Sequence, residues 1–134
     1  MTAFFQVPSY GYIERQKIKW LSMLSKLPDS HLYYSEFYRF SAAGIMKAPN
    51  HLSGVYTIYA QRNCLYVGKT ENQSLQKRLF DHYKDCHNFK LRKWILSHIK
   101  LRFRFVVVED LSKIDVLEKS LIQMLSPSCN IRRK

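Results

Sequence analysis

At 134 residues the chain is long enough for one domain with its own core, and 46% hydrophobic with 24% charged residues is a globular rather than a disordered composition. Lys and Arg number 22 against 10 Asp and Glu, a formal net charge of +12 that favours polyanions as partners, nucleic acid first and an anionic membrane surface second. No run of about 18 apolar residues is present to span a membrane, the start MTAFFQVPSYGY lacks the pattern of a secretory signal, and three cysteines without a C-x-x-C suit a reducing, cytoplasmic setting.

Residues 1–12 read as irregular, with Pro8 and Gly11 as breakers. Over residues 12–27 the stripe Trp20, Leu21, Leu24 and Leu27 predicts a helix that Pro28-Asp29-Ser30 ends. Tyr34, Phe37 and Tyr38 then recur at helical spacing, either as a small core under that helix or as a platform on which bases stack. Lys47-Ala48-Pro49-Asn50 reads as a linker, which divides the chain into an N-terminal helical, aromatic extension (residues 1–50) and a second unit (residues 51–134). The extension carries six basic and three acidic residues, the remainder sixteen and seven, so most of the surplus charge belongs to the second unit.

The β-run Val55-Tyr56-Thr57-Ile58-Tyr59 meets a second run, Leu65-Tyr66-Val67, across a turn at residues 61–63. With a three-residue loop, Ala60 faces Cys64, Ile58 faces Tyr66, and Tyr56 and Tyr66 become diagonal neighbours on one sheet face. A two-residue loop would put them on opposite faces, so the longer loop is expected. A helix starts near Asn72 or Ser74. On it Arg78 and His82, four apart, share an edge beside Leu75 and Leu79 and can reach back to the sheet.

Residues 88–99 predict a further helix, with Leu91, Trp94, Ile95, His98 and Ile99 on its apolar side and Lys90, Arg92, Lys93 and Lys100 on the other. A strand over residues 101–109 follows, Phe103, Phe105 and Val107 pointing one way and Arg102, Arg104, Val106 and Val108 the other. No acid occurs from Asn88 through Val108. Lys90, Arg92, Lys93, Arg102 and Arg104 are therefore candidates for tracking phosphates, set against the plainer reading of a solvated charged face. The last helix is expected from Ser112, as N-cap, to Ser126, before Pro127.

Glu118 interrupts that helix's apolar stripe of Ile114, Leu121 and Leu125. A carboxylate on such a stripe needs a partner, either a nearby Lys or Arg or a metal ion. A single carboxylate with waters and substrate phosphate is how Mg2+ is usually held. His82, Cys86 and His87 lie close together, but their spacing is not that of a zinc site.

Gly54-Val55-Tyr56 followed by Tyr66-Val67-Gly68 resembles the paired motif of the GIY-YIG endonuclease family, with Val for Ile in both tripeptides. Arg78 and His82 are similar to its helix positions, Glu118 to its metal ligand and Asn130 to its last motif, over residues 51 to 131. The resemblance implies an α+β fold, a small, mainly antiparallel three-stranded sheet flanked by helices. It implies a Mg2+- or Mn2+-dependent endonuclease that hydrolyses DNA phosphodiester bonds, of the small restriction or mobile-element type, with double-stranded DNA as partner. Tyr56 is then the general base, Lys69, Arg78 and the metal supply the field that favours tyrosinate, and His82 relays the proton. Arg78 clamps the scissile phosphate, Tyr66 orients the site or the phosphate, Glu118 holds the ion, Lys69 helps to bind substrate, and Asn130, counted with the substrate-binding residues, hydrogen-bonds around the metal corner or braces the local fold. One such site cuts one strand, so a double-strand break requires a homodimer or two encounters. Alternatives are a binding module of the same fold without catalysis, or a basic accessory protein docking through its aromatic segment.

Overall fold

The computed structural model describes residues 34–130. The helix expected over residues 12–27 and the basic residues 132–134 lie outside that range. In chain order the elements are β1 (Tyr38–Arg39), α1 (Ala42–Ile45), β2 (Gly54–Ala60), β3 (Asn63–Thr70), α2 (Leu75–Asp85), α3 (Phe89–Ile95), β4 (Leu101–Val107) and α4 (Leu111–Leu125).

The strands make one antiparallel sheet in the order β1-β4-β2-β3. β2 is paired on both sides and buried along its whole length, as suits its β-branched and aromatic sequence. Helices flank the sheet, the expected α+β architecture, with a fourth strand beyond the three anticipated. On one face Tyr56, Ile58, Phe103 and Phe105 pack with Ile45, Leu75, Leu79 and Leu91 from α1, α2 and α3. On the other, Val55, Tyr59, Val67 and Val106 pack with Ile114, Leu117 and Leu121 of α4.

The extra strand comes from residues ahead of the linker. Tyr38 and Arg39 pair with Phe103 and Arg102 on β4, and Tyr34 bridges Val106. Residues 34–39 are thus extended, not helical. The spacing of Tyr34, Phe37 and Tyr38 misled because aromatic residues also favour strands, and here the free edge of β4 claims the backbone. Tyr38 packs its ring against Phe103 and Phe105, and Phe37 meets Tyr59 edge-on at 5.1 Å.

The hairpin reaches the expected register by another route. Ile58 faces Tyr66, but Ala60 faces Asn63 and Tyr59 faces Cys64, so the turn has two residues, Gln61 and Arg62. The register shift beside Ile58 and Tyr59 leaves Leu65 as the extra residue of a β-bulge. Leu65 and Tyr66 consequently both join the core on the α2 side, where simple alternation would separate them. Gln61 takes the left-handed φ of 57° that the tight turn requires.

All four helix starts among the described residues follow side-chain caps, Ser41 accepting from Gly44 N at the head of α1. Ser74, Asn88 and Asp110 accept from Lys77 N, Leu91 N and Ser112 N at the heads of α2, α3 and α4. The last cap is Asp110 rather than the expected Ser112, whose own hydroxyl donates to Asp110. α3 ends at Ile95, short of Ile99, because Ser97 turns its hydroxyl onto the Trp94 carbonyl and accepts from Ile99 N, closing a local turn. His98 and Ile99 are therefore exposed rather than on an apolar stripe.

Candidate active site

Tyr56 and Tyr66 lie on the same face of the β2–β3 hairpin, ring centroids 6.1 Å apart. α2 crosses that face and its buried edge carries Leu75, Leu79 and His82. His82, only 4% exposed, stacks edge-on against both tyrosine rings, at 5.7 and 5.1 Å. Its Nε2 is 2.7 Å from the Tyr56 hydroxyl. Its Nδ1 is 3.4 Å from Cys86 Sγ, one turn further along, and that thiol donates to the Asn88 carbonyl at 3.6 Å.

Gly68 sits directly opposite Tyr56 in the ladder and leaves the space its ring occupies. A Cβ there would stand 2.3 Å from the Tyr56 oxygen, so any side chain would displace the phenol.

Electrostatics keep this cluster uncharged. Burial, reinforced by Tyr66, pushes the Tyr56 phenol well above its ordinary pKa, and the nearby Arg78 only partly offsets this. Burial raises Tyr66 as well, again opposed by Arg78. Burial and the Arg78 cation lower His82 to about 4. A neutral phenol thus faces a neutral imidazole across a short hydrogen bond. These side chains by themselves favour the phenol over tyrosinate.

Lys69 departs from expectation. It pairs with Val55 in the ladder, on the face away from Tyr56, and its ammonium is held by Asp115, with Glu71 at 3.5 Å and Glu118 at 3.9 Å. The field at Tyr56 is therefore Arg78's alone among the cations named here.

Glu118 reaches the region from α4, which packs against β3. Its side chain is 20% exposed, and its charge is felt at both Tyr56 and Tyr66. Burial raises its carboxyl, with Lys69 opposing. Lys69 stands beyond hydrogen-bond range of it and is already engaged by Asp115, so carboxylate lone pairs remain for an ion. Among the described residues no three His, Cys, Asp or Glu side chains converge as a metal cage. The donor set fits a hard divalent ion that keeps waters and takes substrate oxygens; it does not fit a closed zinc site.

Asn130 makes the hydrogen bonds of a brace. Its Oδ1 accepts from Val67 N and its Nδ2 donates to Val67 O, both at 2.9 Å. With Cys129 N on Leu65 O and Ser128 N on Cys64 O, residues 128–130 cover the outer edge of β3. Asn130 is a brace for the strand that carries Tyr66.

The basic candidates separate by face. Lys90, Arg92 and Lys93 are exposed on α3, on the same side of the sheet as Tyr56. Arg102 and Arg104 alternate to the opposite face. Arg104 is 2% exposed, its guanidinium 3.6 Å from the Tyr34 ring centre and 4.3 Å from that of Phe37. Arg102 lies over Phe37 and donates to the Gln61 carbonyl. Neither is placed to meet a phosphate at the tyrosine site, because the alternation that separates them from Phe103 sends them under residues 34–37. The sequence places Cys86 near His82 only as a rejected zinc ligand, not as its hydrogen-bond partner, and misses Asp115 as the neighbour of Lys69. The His82–Cys86 spacing of four on one helix was the available signal for the first.

A family profile described as the GIY-YIG catalytic domain matches residues 52–131. The chain is also similar to crystal structures of the GIY-YIG N-terminal endonuclease domain of UvrC from Thermotoga maritima. Two point mutants of that domain, each bound to its catalytic divalent cation, are 24% and 27% identical, with TM-scores of 0.51 and coverage of 66% of this chain and 91% of theirs. Among curated proteins none matches the chain significantly. No helix among the described residues is long and apolar enough to cross a membrane.

Proposed function

The chain belongs to the GIY-YIG family, nucleases that hydrolyse phosphodiester bonds, and from that premise we propose that it is an endonuclease that nicks double-stranded DNA with Mg2+ or Mn2+. The observation that carries the reading is the 2.7 Å Tyr56–His82 hydrogen bond, with Arg78 and Glu118 both in electrostatic reach of Tyr56.

Hydrolysis needs a proton removed from water, charge relief on the phosphoryl oxygens and help for the leaving oxygen. Tyr56 takes the water proton onto its phenol oxygen as its own proton passes to His82 Nε2. The O–H bond of water breaks, one O–H bond on Tyr56 replaces another, and an N–H bond forms on His82. The hydroxide oxygen then bonds to phosphorus as one P–O ester bond breaks. Because the transfer is concerted, no resting tyrosinate is required. The leaving alkoxide takes a proton from water and departs as the hydroxyl, and His82, lowered to about 4, is a good acid once protonated and gives its proton up to solvent.

Arg78 clamps two phosphoryl oxygens with its planar fork. Tyr66 orients the phosphate. Glu118 would hold the divalent ion, whose chemistry is to stabilise charge on the phosphoryl and leaving oxygens. Lys69 aligns Glu118 through the Asp115 contact. Lys90, Arg92 and Lys93 follow the DNA backbone. Residues 51–134 form the catalytic unit, buttressed by residues 34–50. One site cuts one strand, so a double-strand break needs a homodimer or a second encounter. A restriction or mobile-element role suits a unit of this size.

The test is cleavage of supercoiled plasmid with Mg2+ or EDTA, wild type beside Glu118→Ala and Tyr56→Phe. Expected are metal-dependent nicking and a loss on the order of 100-fold or more in both variants. Tight DNA binding with no cutting under any divalent metal would leave a binding module of the same fold. Full activity in Glu118→Ala would refute the ion site.

A further inference from the structure

Resting on the relay just described, we infer that Cys86 is a positioning residue that holds His82 in the tautomer protonated at Nδ1, leaving Nε2 open to the Tyr56 proton. The assignment follows from counting donors. The Asn88 carbonyl, 3.6 Å from Cys86 Sγ, can only accept, so the S–H points at it. The sulfur's lone pairs then face His82 Nδ1 at 3.4 Å, and Nδ1 must bring the hydrogen. A neutral imidazole has one N–H. Nε2 is therefore bare, and at 2.7 Å it accepts from the Tyr56 hydroxyl.

The opposite tautomer sets a lone pair against a lone pair at Nδ1. It also leaves the Tyr56 hydrogen in search of another acceptor within a buried site, where an unmade hydrogen bond is expensive.

The end of this chain of bonds is itself fixed. Asn88 caps α3 by accepting from Leu91 N at 2.9 Å, and its Nδ2 donates to the Cys129 carbonyl at 2.9 Å. Its own carbonyl is thereby held beneath the thiol. Burial raises the Cys86 thiol above its ordinary value and keeps the S–H in place, while His82 stays neutral. Directionality thus runs from Tyr56 through His82 and Cys86 to Asn88, each member donating to the next. Free neutral imidazole prefers the other tautomer, and without Cys86 only the Tyr56 hydroxyl opposes that preference.

The experiment reads the tautomer apart from the reaction. Long-range proton–nitrogen NMR of 15N-histidine protein should show His82 with protonated Nδ1 and unprotonated Nε2 in wild type. In Cys86→Ala the pattern should move towards protonated Nε2. With Mg2+ and plasmid, kcat of Cys86→Ala should fall about 10- to 100-fold with KM unchanged, as for other lost partners of functional histidines. Cys86→Ser, which again donates and accepts, should keep the wild-type tautomer and most of the rate. A wild-type His82 protonated at Nε2 would overturn the inference, as would Ala and Ser variants indistinguishable in both readouts. If no substrate is cut, the nuclease reading fails while the tautomer result still decides this one.

Discussion

Burying an imidazole beside a guanidinium deprives it of its proton, and His82 carries the consequence into stability. Its folded pKa of about 4 lies below the ordinary 6.5. The unfolded chain therefore binds a proton in a window where the folded protein does not. The His82 contribution is complete above pH 6.5 and is lost as pH falls towards 4, to a total of about 3 kcal/mol. Urea unfolding at pH 7 and pH 4.5 should show this loss, and His82→Gln should reduce the pH dependence by a similar amount. An unchanged dependence in the variant would mean that His82 is accessible to protons in the folded state. At this scale the sequence was most informative where the relevant distance is local. Arg78 and His82 share a helix edge through their spacing of four, and Tyr56 and Tyr66 share a strand face through alternation. Arg104 was misread because alternation assigns a side chain to a face without saying what covers that face. Its cover, Tyr34 and Phe37, lies some 70 residues away in sequence.

Among the elements, β3 has the least ordinary surroundings. One side pairs with β2, and the other is closed by residues 128–130, with Asn130 taking both polar groups of Val67. Asn130→Ala removes two hydrogen bonds from a buried backbone and should cost about 2 kcal/mol. Thermal unfolding measures that loss. The rate per folded molecule should stay near wild type, whereas a lowered kcat at full stability would restore Asn130 to the substrate-binding set. The helices were legible to within a few residues because their caps and stripes are local signals. β1 was not, since an edge strand of two residues has little pattern of its own and exists because β4 offers a free edge. The Lys69 network was equally hidden: Asp115 comes from α4, and only the packing of α4 on β3 brings it there.

For the molecule as a whole, the formal charge of +12 is unevenly used. Arg102 and Arg104 belong to the aromatic layer, and Lys69 is held by acids. The exposed cations of α3, on the tyrosine side of the sheet, remain for a polyanion. Replacing Lys90, Arg92 and Lys93 together by Ala should weaken DNA binding at all sequences alike. It should also lower the slope of log K against log salt by up to about 3. Fluorescence anisotropy across a salt series reads this directly, and cleavage at saturating DNA should be little changed. An unaltered slope would remove α3 from the interface and turn attention to residues 1–33.

The bulge at Leu65 bears on how the gene can change length. Between Ile58 and Tyr66 the hairpin holds one residue more than a regular two-residue turn needs. In-frame loss of a single codon there can be absorbed by straightening the bulge, with Ile58 still opposite Tyr66. Downstream no such slack exists. Gly68 must lie under the Tyr56 ring, so one codon gained or lost between Tyr66 and Gly68 displaces the glycine and puts a side chain into the phenol. Length variation among descendants of this gene should therefore gather before Tyr66 and stop there.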